Sequence, residues 1–233
     1  IVDVTIDGRY ILDGDIVSAR PVIAVVLRDA NPFLSVSDTS SLNISLKRPA
    51  SDIFQRVNYS EPGLTYSPAS EDKDFELLYQ PGQLEDGQYT LRVEGSDASG
   101  NEATIEPYEI SFEVINESTI TNFYPYPNPF STSCRFVFTL TGSSLPDAMK
   151  IQIMTISGRV VREISQAELG PIHIGNNLTE FSWDGTDEFG DELANGVYLY
   201  RVIVRQNGER MKNRATSGDR AFKNGFGKLY ILR

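Results

Sequence analysis

Cys134 and His173 are the single cysteine and the single histidine of this 233-residue chain, so catalysis has to be considered at them first. One of each excludes an intrachain disulfide and a zinc site of the Cys/His kind. His173, between two isoleucines, is the only candidate for a neutral-pH general base. Cys134 stands in Ser-Cys-Arg-Phe-Val-Phe, which is typical of a buried small side chain rather than a nucleophile. No Ser–His or Cys–His arrangement surrounds either residue, and the sequence predicts that the chain is not an enzyme.

Two groups of acidic residues could supply oxygen ligands to calcium. They are Asp184, Asp187 and Asp191 in one stretch, and Asp7, Asp13 and Asp15 together with residues 97–101 in the other. The spacing of the first group differs from that of an EF-hand loop. Asp and Gly also satisfy the backbone geometry of tight turns, and the sequence favours that interpretation for both groups. No cofactor is predicted, with calcium as the one open candidate.

Carbohydrate chemistry has weaker support in the residues. Four loop aromatics could form a platform for sugar rings, although such residues more often pack against their neighbours. They are Tyr10, Phe33, Tyr59 and Tyr66. Nothing in the sequence singles out a pair of carboxylates for glycoside hydrolysis.

The charge is distributed unevenly along the chain. Residues 1–115 carry 20 Asp/Glu against 8 Lys/Arg, whereas residues 201–233 carry nine basic side chains and two acidic ones. The basic tail could bind an acidic partner or form a solvated face. Nucleic acid is not expected, because the chain as a whole has a net charge of −11 and is repelled by phosphates.

Short runs of alternating apolar and polar residues, separated by Gly, Pro, Asn and Asp, predict an all-β protein. We expect two tandem immunoglobulin-like β-sandwich domains at 1–115 and 123–233, joined by a linker at 116–122. No run approaches the roughly 20 apolar residues that a membrane helix needs, so direct membrane insertion is not expected. The first residues already alternate as a strand does, and we expect a piece of a longer polypeptide with catalytic or adhesive domains upstream.

A short signature occurs once in each half of the chain. The pattern Leu-x-x-Gly-x-Tyr-x-x-Arg-Val covers Leu84–Val93 and Leu193–Val202. Two copies in series indicate two similar modules. In an immunoglobulin-like sandwich, a tyrosine near the start of a late strand fixes the preceding corner, and Tyr89 is placed for that role.

Five further fragments follow one another in the second half. They are Tyr126-Pro127-Asn128-Pro129-Phe130, Ile156-Ser-Gly158-Arg-Val160, Trp183-Asp184-Gly185, Gly196-Val-Tyr198 and the closing Gly227-Lys-Leu-Tyr-Ile-Leu232. Residues 122–233 thereby resemble the C-terminal sorting domain of proteins exported by the type IX secretion system of the Bacteroidota. That domain is similar to the immunoglobulin-like module of the flagellar-hook-cap family. The two halves together resemble the C-terminal end of gingipain-related sortase-like surface proteins.

The resemblance implies a sorting signal that the outer-membrane translocon and its shuttle protein recognise, on a secreted protein at the cell surface of a Gram-negative bacterium. We expect the last strand to contact these partners, by strand addition at an exposed edge as one route. Its residues are Lys228, Leu229, Tyr230, Ile231 and Leu232. The stretches 205–227 and 143–150 are longer than the family pattern leads us to expect.

We interpret the acidic first domain as a spacer or interaction module and the second domain as the recognition signal. Two other functions stay open. One is a carbohydrate-binding or calcium-dependent adhesion module, and the other is a pair of accessory domains of an upstream peptidase or sortase-like enzyme.

Overall fold

The computed structural model describes residues 2–28, 42–70, 73–95, 107–213 and 225–233. Its elements are almost entirely β-strands. The chain divides into two compact units, Ile1–Asn116 and Glu117–Arg233, and each unit has its own cluster of buried apolar side chains. The predicted all-β class is confirmed. In the described part of the chain, no helix is long and apolar enough to span a membrane.

The first unit is a sandwich of two sheets. Its strands are β1 (Val2–Ile6), β2 (Asp15–Val17), β3 (Ile23–Leu27), β4 (Leu42–Lys47), β5 (Phe54–Arg56), β6 (Leu64–Ser67), β7 (Phe75–Tyr79), β8 (Gly87–Gly95) and β9 (Tyr108–Val114). One sheet has the order β1-β3-β7-β6 and the other has the order β2-β9-β8-β4-β5. These orders match the A-B-E-D and C-F-G sheets of an immunoglobulin domain, with a short strand added at each side of the second sheet.

The second unit has the same two-layer plan. Its elements are β10 (Thr119–Tyr126), β11 (Arg135–Leu140), β12 (Ala148–Met154), β13 (Val160–Ser165), α1 (Gln166–Leu169), β14 (Gly175–Leu178), β15 (Gly196–Gln206), β16 (Glu209–Arg210), β17 (Lys212–Asn213) and β18 (Gly227–Ile231). One sheet has the order β14-β11-β10-β17. The other has the order β13-β12-β15, and both β16 and β18 pair with β15.

The period of two in the sequence decides which side chains enter each core. In β4, Leu42, Ile44 and Leu46 are buried while the residues between them are partly exposed. In β15, the buried positions alternate in the same way from Tyr198 to Val204. Successive side chains of a strand point to opposite faces, so each strand contributes one apolar face to the space between the sheets.

The repeated signature forms the same corner in both units. The hydroxyl of Tyr89 donates to the Glu85 carbonyl at 3.1 Å, and the hydroxyl of Tyr198 donates to the Ala194 carbonyl at 2.9 Å. Both rings are buried. A tyrosine hydroxyl bonded to the backbone four residues upstream is the tyrosine corner of immunoglobulin-like domains.

The boundary between the units differs from the predicted linker. Residues 119–122 belong to β10, and Thr119 is buried. The hydroxyls of Thr119 and Thr141 lie 2.8 Å apart, and the Thr119 N–H donates to the Thr141 hydroxyl at 3.1 Å. Because hydroxyl pairs satisfy these positions inside the sandwich, a polar stretch that is typical of a linker forms a strand instead.

Candidate functional site

Strand β18 lies antiparallel beside the beginning of β15. The register pairs Gly196 with Ile231 and Tyr200 with Gly227. A side chain at Gly227 would overlap the Tyr200 ring, so this strand has to begin on glycine to reach its place in the sheet. The C-terminal strand that the sequence predicts is therefore present and belongs to the second sandwich.

The five predicted contact residues of β18 divide between two faces. Leu229 and Ile231 have 0% exposed surface and lie in the core between the sheets. Lys228 and Leu232 are exposed, and Tyr230 is half-buried. In the folded protein the side chains of Lys228, Tyr230 and Leu232 are accessible to a partner, whereas those of Leu229 and Ile231 are enclosed in the core. A role of all five residues in partner binding stays a prediction.

The outer edge of β18 is already occupied by residues of the same chain. The Asn128 side-chain amide donates to the Lys228 carbonyl at 3.0 Å and accepts from the Tyr230 N–H at 2.9 Å. Next to it, the Phe130 N–H donates to the Tyr230 carbonyl at 3.1 Å, and the Phe130 carbonyl accepts from the Leu232 N–H at 2.9 Å. An added strand would need these same backbone groups, so the expected route by strand addition is closed in this conformation.

We call residues 127–130 the edge segment. Its first three residues are exposed, whereas the Phe130 ring is buried and anchors the segment. Pro127 and Pro129 have no N–H to donate. The segment therefore covers β18 without offering a regular hydrogen-bonding edge of its own.

The Trp-Asp-Gly fragment packs against the same strand. Trp183 is buried, with its ring centroid 5.6 Å from that of Phe130, and its indole N–H donates to the Thr186 carbonyl at 2.9 Å. A Cβ at Gly185 would lie 2.7 Å from the Arg233 guanidinium, 3.3 Å from the Phe130 ring and 3.4 Å from Ile231. Gly185 thus allows three separate parts of the sequence to meet.

Arg233 completes this cluster. Its guanidinium donates to the carbonyls of Asp184 at 2.6 Å and Leu193 at 2.8 Å. Its backbone N–H donates to the Asn195 side chain at 2.9 Å, and its carbonyl accepts from the same side chain at 3.0 Å. Arg233, two residues after the end of β18, is consequently held by both the Trp-Asp-Gly fragment and the loop that leads into β15.

Gly158 lies apart from the cluster but at the same end of the sheet. It has a φ of +89° in the turn between β12 and β13. Met154 pairs with Leu199, and earlier residues of β12 pair with later residues of β15, so this turn lies toward Gly196. Two of the five fragments therefore belong to β18 and β15 themselves, two others pack against β18, and the fifth forms the adjoining turn. Tyr89 belongs to the first unit.

Sequence reasoning missed Asn195 and Arg233. A comparison of the two copies of the signature could have identified Asn195, because Asp86 occupies the same position before the glycine in the first copy. The Asp86 carboxylate accepts from the Asn116 N–H at 2.7 Å, two residues after the end of β9. In both units, the residue before the signature glycine fixes the chain where the neighbouring strand ends. No pattern in the sequence pointed to Arg233.

Two of the three acidic residues proposed for calcium in this stretch, Asp184 and Asp187, serve local turns through their carboxylates. The Asp184 carboxylate accepts from the Thr186 N–H and hydroxyl, and the Asp187 carboxylate accepts from the N–H groups of Phe189 and Asp191. Among the residues that the structure describes, no group of three or more His, Cys, Asp or Glu side chains could hold a metal ion.

The second acidic group is also bonded to backbone. Asp7 accepts from the N–H groups of Ser18 and Val22, Asp13 from that of Ser111, and Asp15 from that of Leu12. These contacts hold the loops of the first unit together. Residues 97–101 lie outside the described residues.

Two of the four candidate aromatics pack on each other. The rings of Tyr59 and Tyr66 meet edge to face with centroids 5.8 Å apart, and Tyr66 stacks on Phe75 at 6.0 Å. Tyr10 is exposed, and Phe33 lies outside the described residues. The described rings do not lie in one flat row.

The candidates for nucleophilic and base chemistry have different surroundings. Cys134 is buried, and burial raises the pKa of its thiol to about 12. The thiol therefore stays protonated near neutral pH, and a thiol is a poor nucleophile. The His173 ring nitrogen Nε2 lies 2.7 Å from the Asn176 carbonyl.

No protein-family model matches the chain, and no curated protein matches it either. Among solved structures, dimeric latent PorU from Porphyromonas gingivalis matches with 20% identity and a TM-score of 0.36, over 99% of this chain and 20% of that chain. This chain thus spans about a fifth of the PorU chain. The fibronectin(III)-like modules of Clostridium thermocellum CbhA match with 11% identity and a TM-score of 0.29, over 98% and 94% of the two chains. Both TM-scores lie below 0.5, so no function follows from these similarities.

Proposed function

We propose that this chain is the non-catalytic C-terminal region of a larger secreted surface protein of a Gram-negative bacterium. The second unit serves as the recognition signal for a type IX secretion translocon and its shuttle protein. The first unit is a spacer or interaction module that follows catalytic or adhesive domains upstream.

One observation carries this proposal. The sequence fragments that resemble a type IX sorting domain are far apart along the chain, yet four of them meet at one end of the second unit, two as parts of the paired strands β18 and β15 and two packed against β18. Asn128 and Phe130 bond the outer edge of β18, while Gly185 adjoins Ile231 and Arg233. A recognition signal has to present its residues to the partner protein in one fixed position. The fragments described here hold β18 in such a position.

The test places a secreted reporter upstream of residues 1–233 in a host that has the type IX machinery. We expect the reporter at the cell surface in the parent strain and its retention in a strain without the translocon. Because that comparison uses the intact chain, it does not depend on the folding of any variant. Equal display in both strains would remove the sorting function.

Deletion of residues 227–233 adds the second arm of the test. The deletion removes Leu229 and Ile231 from the core and the guanidinium contacts of Arg233. We expect surface display to be lost, and unchanged display would likewise contradict the proposal.

A further inference from the structure

Because the edge of β18 is closed, a partner can contact this strand through the side chains that face outward from the sheet. Edge contact would require removal of the edge segment, with its four hydrogen bonds and the buried Phe130 ring. Docking onto the outer face requires no such rearrangement. In most pre-organised complexes the backbone at the interface moves little when the partners bind. This inference rests on the proposed function and specifies where recognition takes place.

An apolar row crosses β13, β12 and β15 on the outer face of this sheet and ends at Lys228 on β18. The register pairs Val160 with Met154, Met154 with Leu199, and Leu199 with Lys228. A second pair, Val197 and Tyr230, lies beside that row. Residues that pair directly across strands place their side chains on the same face, so these residues adjoin one another.

We name this surface the outer-face patch, and it consists of Val160, Met154, Leu199, Val197, Tyr230 and Leu232. Val160 is 43% exposed, Val197 is 40% exposed and Leu232 is 57% exposed. Met154 is buried, but it is not part of the core cluster between the sheets. Its burial is expected if neighbouring side chains on the outer face cover it. Contiguous apolar surface of this kind marks interaction sites on soluble proteins.

Basic residues border the outer-face patch. Lys228 lies at the β18 end of the first row, and Arg159 adjoins Val160 in the turn between β12 and β13. Both side chains are exposed, and neither makes an ion pair with another residue in the part of the chain that the structure describes. A surface with an apolar centre and free cations at its border fits a protein surface with an apolar centre and carboxylates around it.

We infer that the secretion machinery recognises the second unit in its folded state through the outer-face patch, by side-chain docking and not by strand addition. The partner that fits is a folded protein with an apolar contact region and acidic groups placed for Lys228 and Arg159. In this arrangement Leu229 and Ile231 anchor β18 in the core, while Tyr230 and Leu232 contact the partner protein.

The test uses the same reporter fused to the full chain, with two matched triple variants. The first is Val160→Thr, Val197→Thr and Leu232→Gln, which makes the outer-face patch polar and keeps β-branched residues in the strands. The control is Tyr124→Thr, Val137→Thr and Leu178→Gln, which changes a paired apolar row on the opposite sheet of the same unit. Urea unfolding of both purified variants, followed by Trp183 fluorescence, checks that they fold.

We expect the first triple variant to lower surface display about tenfold or more, because interface centres lose at least that much affinity when their apolar anchors are removed. The control should display normally. Normal display of the folded patch variant, with display still lost on deletion of residues 227–233, would overturn the face-docking inference and leave the proposed function standing. The inference would also be overturned if the wild-type chain self-associated and the patch variant were monomeric. That result would assign the surface to contact with a second copy of this chain.

Discussion

At the scale of single residues, Asp86 and Asn195 make equivalent contacts in the two units. Each precedes the glycine of the repeated signature, and each accepts a backbone N–H two residues after a neighbouring strand ends, from Asn116 and from Arg233. The signature thus encodes two attachments, the tyrosine corner and this bond. In the second unit the bond fixes Arg233, two residues after β18 ends.

Gly185→Ala tests how closely the cluster around Arg233 is packed. The matched control is Gly190→Ala, because Gly190 has a similar φ of +87° with nothing within 4 Å of an added Cβ. We expect the control to cost about 1 kcal/mol from backbone strain. Gly185→Ala should cost roughly 1–2 kcal/mol more, because the guanidinium must leave its carbonyl partners. Urea unfolding followed by Trp183 fluorescence measures both, and equal costs would show that the Arg233 contacts contribute nothing to stability.

Residue types in the sequence predicted the turns better than they predicted contacts over distance. Asp184 and Asp187 are bonded within their own turns, as the favoured interpretation held. Such contacts span a few residues and follow from side-chain chemistry alone. The contact of Arg233 with Asp184 joins residues 49 positions apart, and no local pattern encodes it.

At the scale of elements, the edge segment occupies the position where a further strand would pair with β18. It does so partly through the Asn128 side chain. A single amide, that of Asn128, both donates and accepts where a peptide group of a neighbouring strand would do so. Successive N–H groups of a strand point to opposite sides, so the Tyr230 N–H faces Asn128 whereas the Ile231 N–H faces β15.

Asn128→Ala should therefore change hydrogen exchange at one position and not at the next. We expect the Tyr230 amide to exchange about tenfold faster or more, because its acceptor is removed. The Ile231 amide provides the internal control and should keep its protection from β15. Exchange measured by NMR on the folded protein distinguishes the two amides. Unchanged protection at Tyr230 would show that the Asn128 amide does not close the edge.

The sequence predicted the existence of β18 but not the state of its edge. Alternating residues and the position after Gly227 were sufficient to identify the strand. Asn128 lies 100 and 102 positions from its two partners, and prolines beside it suggested only an extended, packed segment. The expectation of an open edge was wrong because a short motif outside the regular strands covers it.

At the scale of the whole molecule, two natural reporters belong to one unit. Trp183 is the only tryptophan and Cys134 the only cysteine, and both are buried in the core of the second unit. The two backbones also contact each other directly, with the Cys134 N–H donating to the Trp183 carbonyl at 2.9 Å. Tryptophan fluorescence and thiol labelling therefore report unfolding of the second unit.

Core substitutions in the two units should affect these reporters differently. Ile151→Ala opens a cavity in the second core and should destabilise it by about 2–5 kcal/mol, so that the fluorescence midpoint and the onset of thiol labelling both shift. Leu77→Ala, at an equally buried position of the first core, should shift the circular dichroism transition and leave the fluorescence midpoint in place. Equal shifts of fluorescence by both substitutions would show that the chain unfolds as a single cooperative block.

The prolines of the edge segment have a consequence for crowded arrays of this protein. Because Pro127 and Pro129 offer no hydrogen to a neighbour, the sheet that ends at β18 cannot template growth on that side. Many copies held side by side at high density would therefore not join there into one continuous sheet.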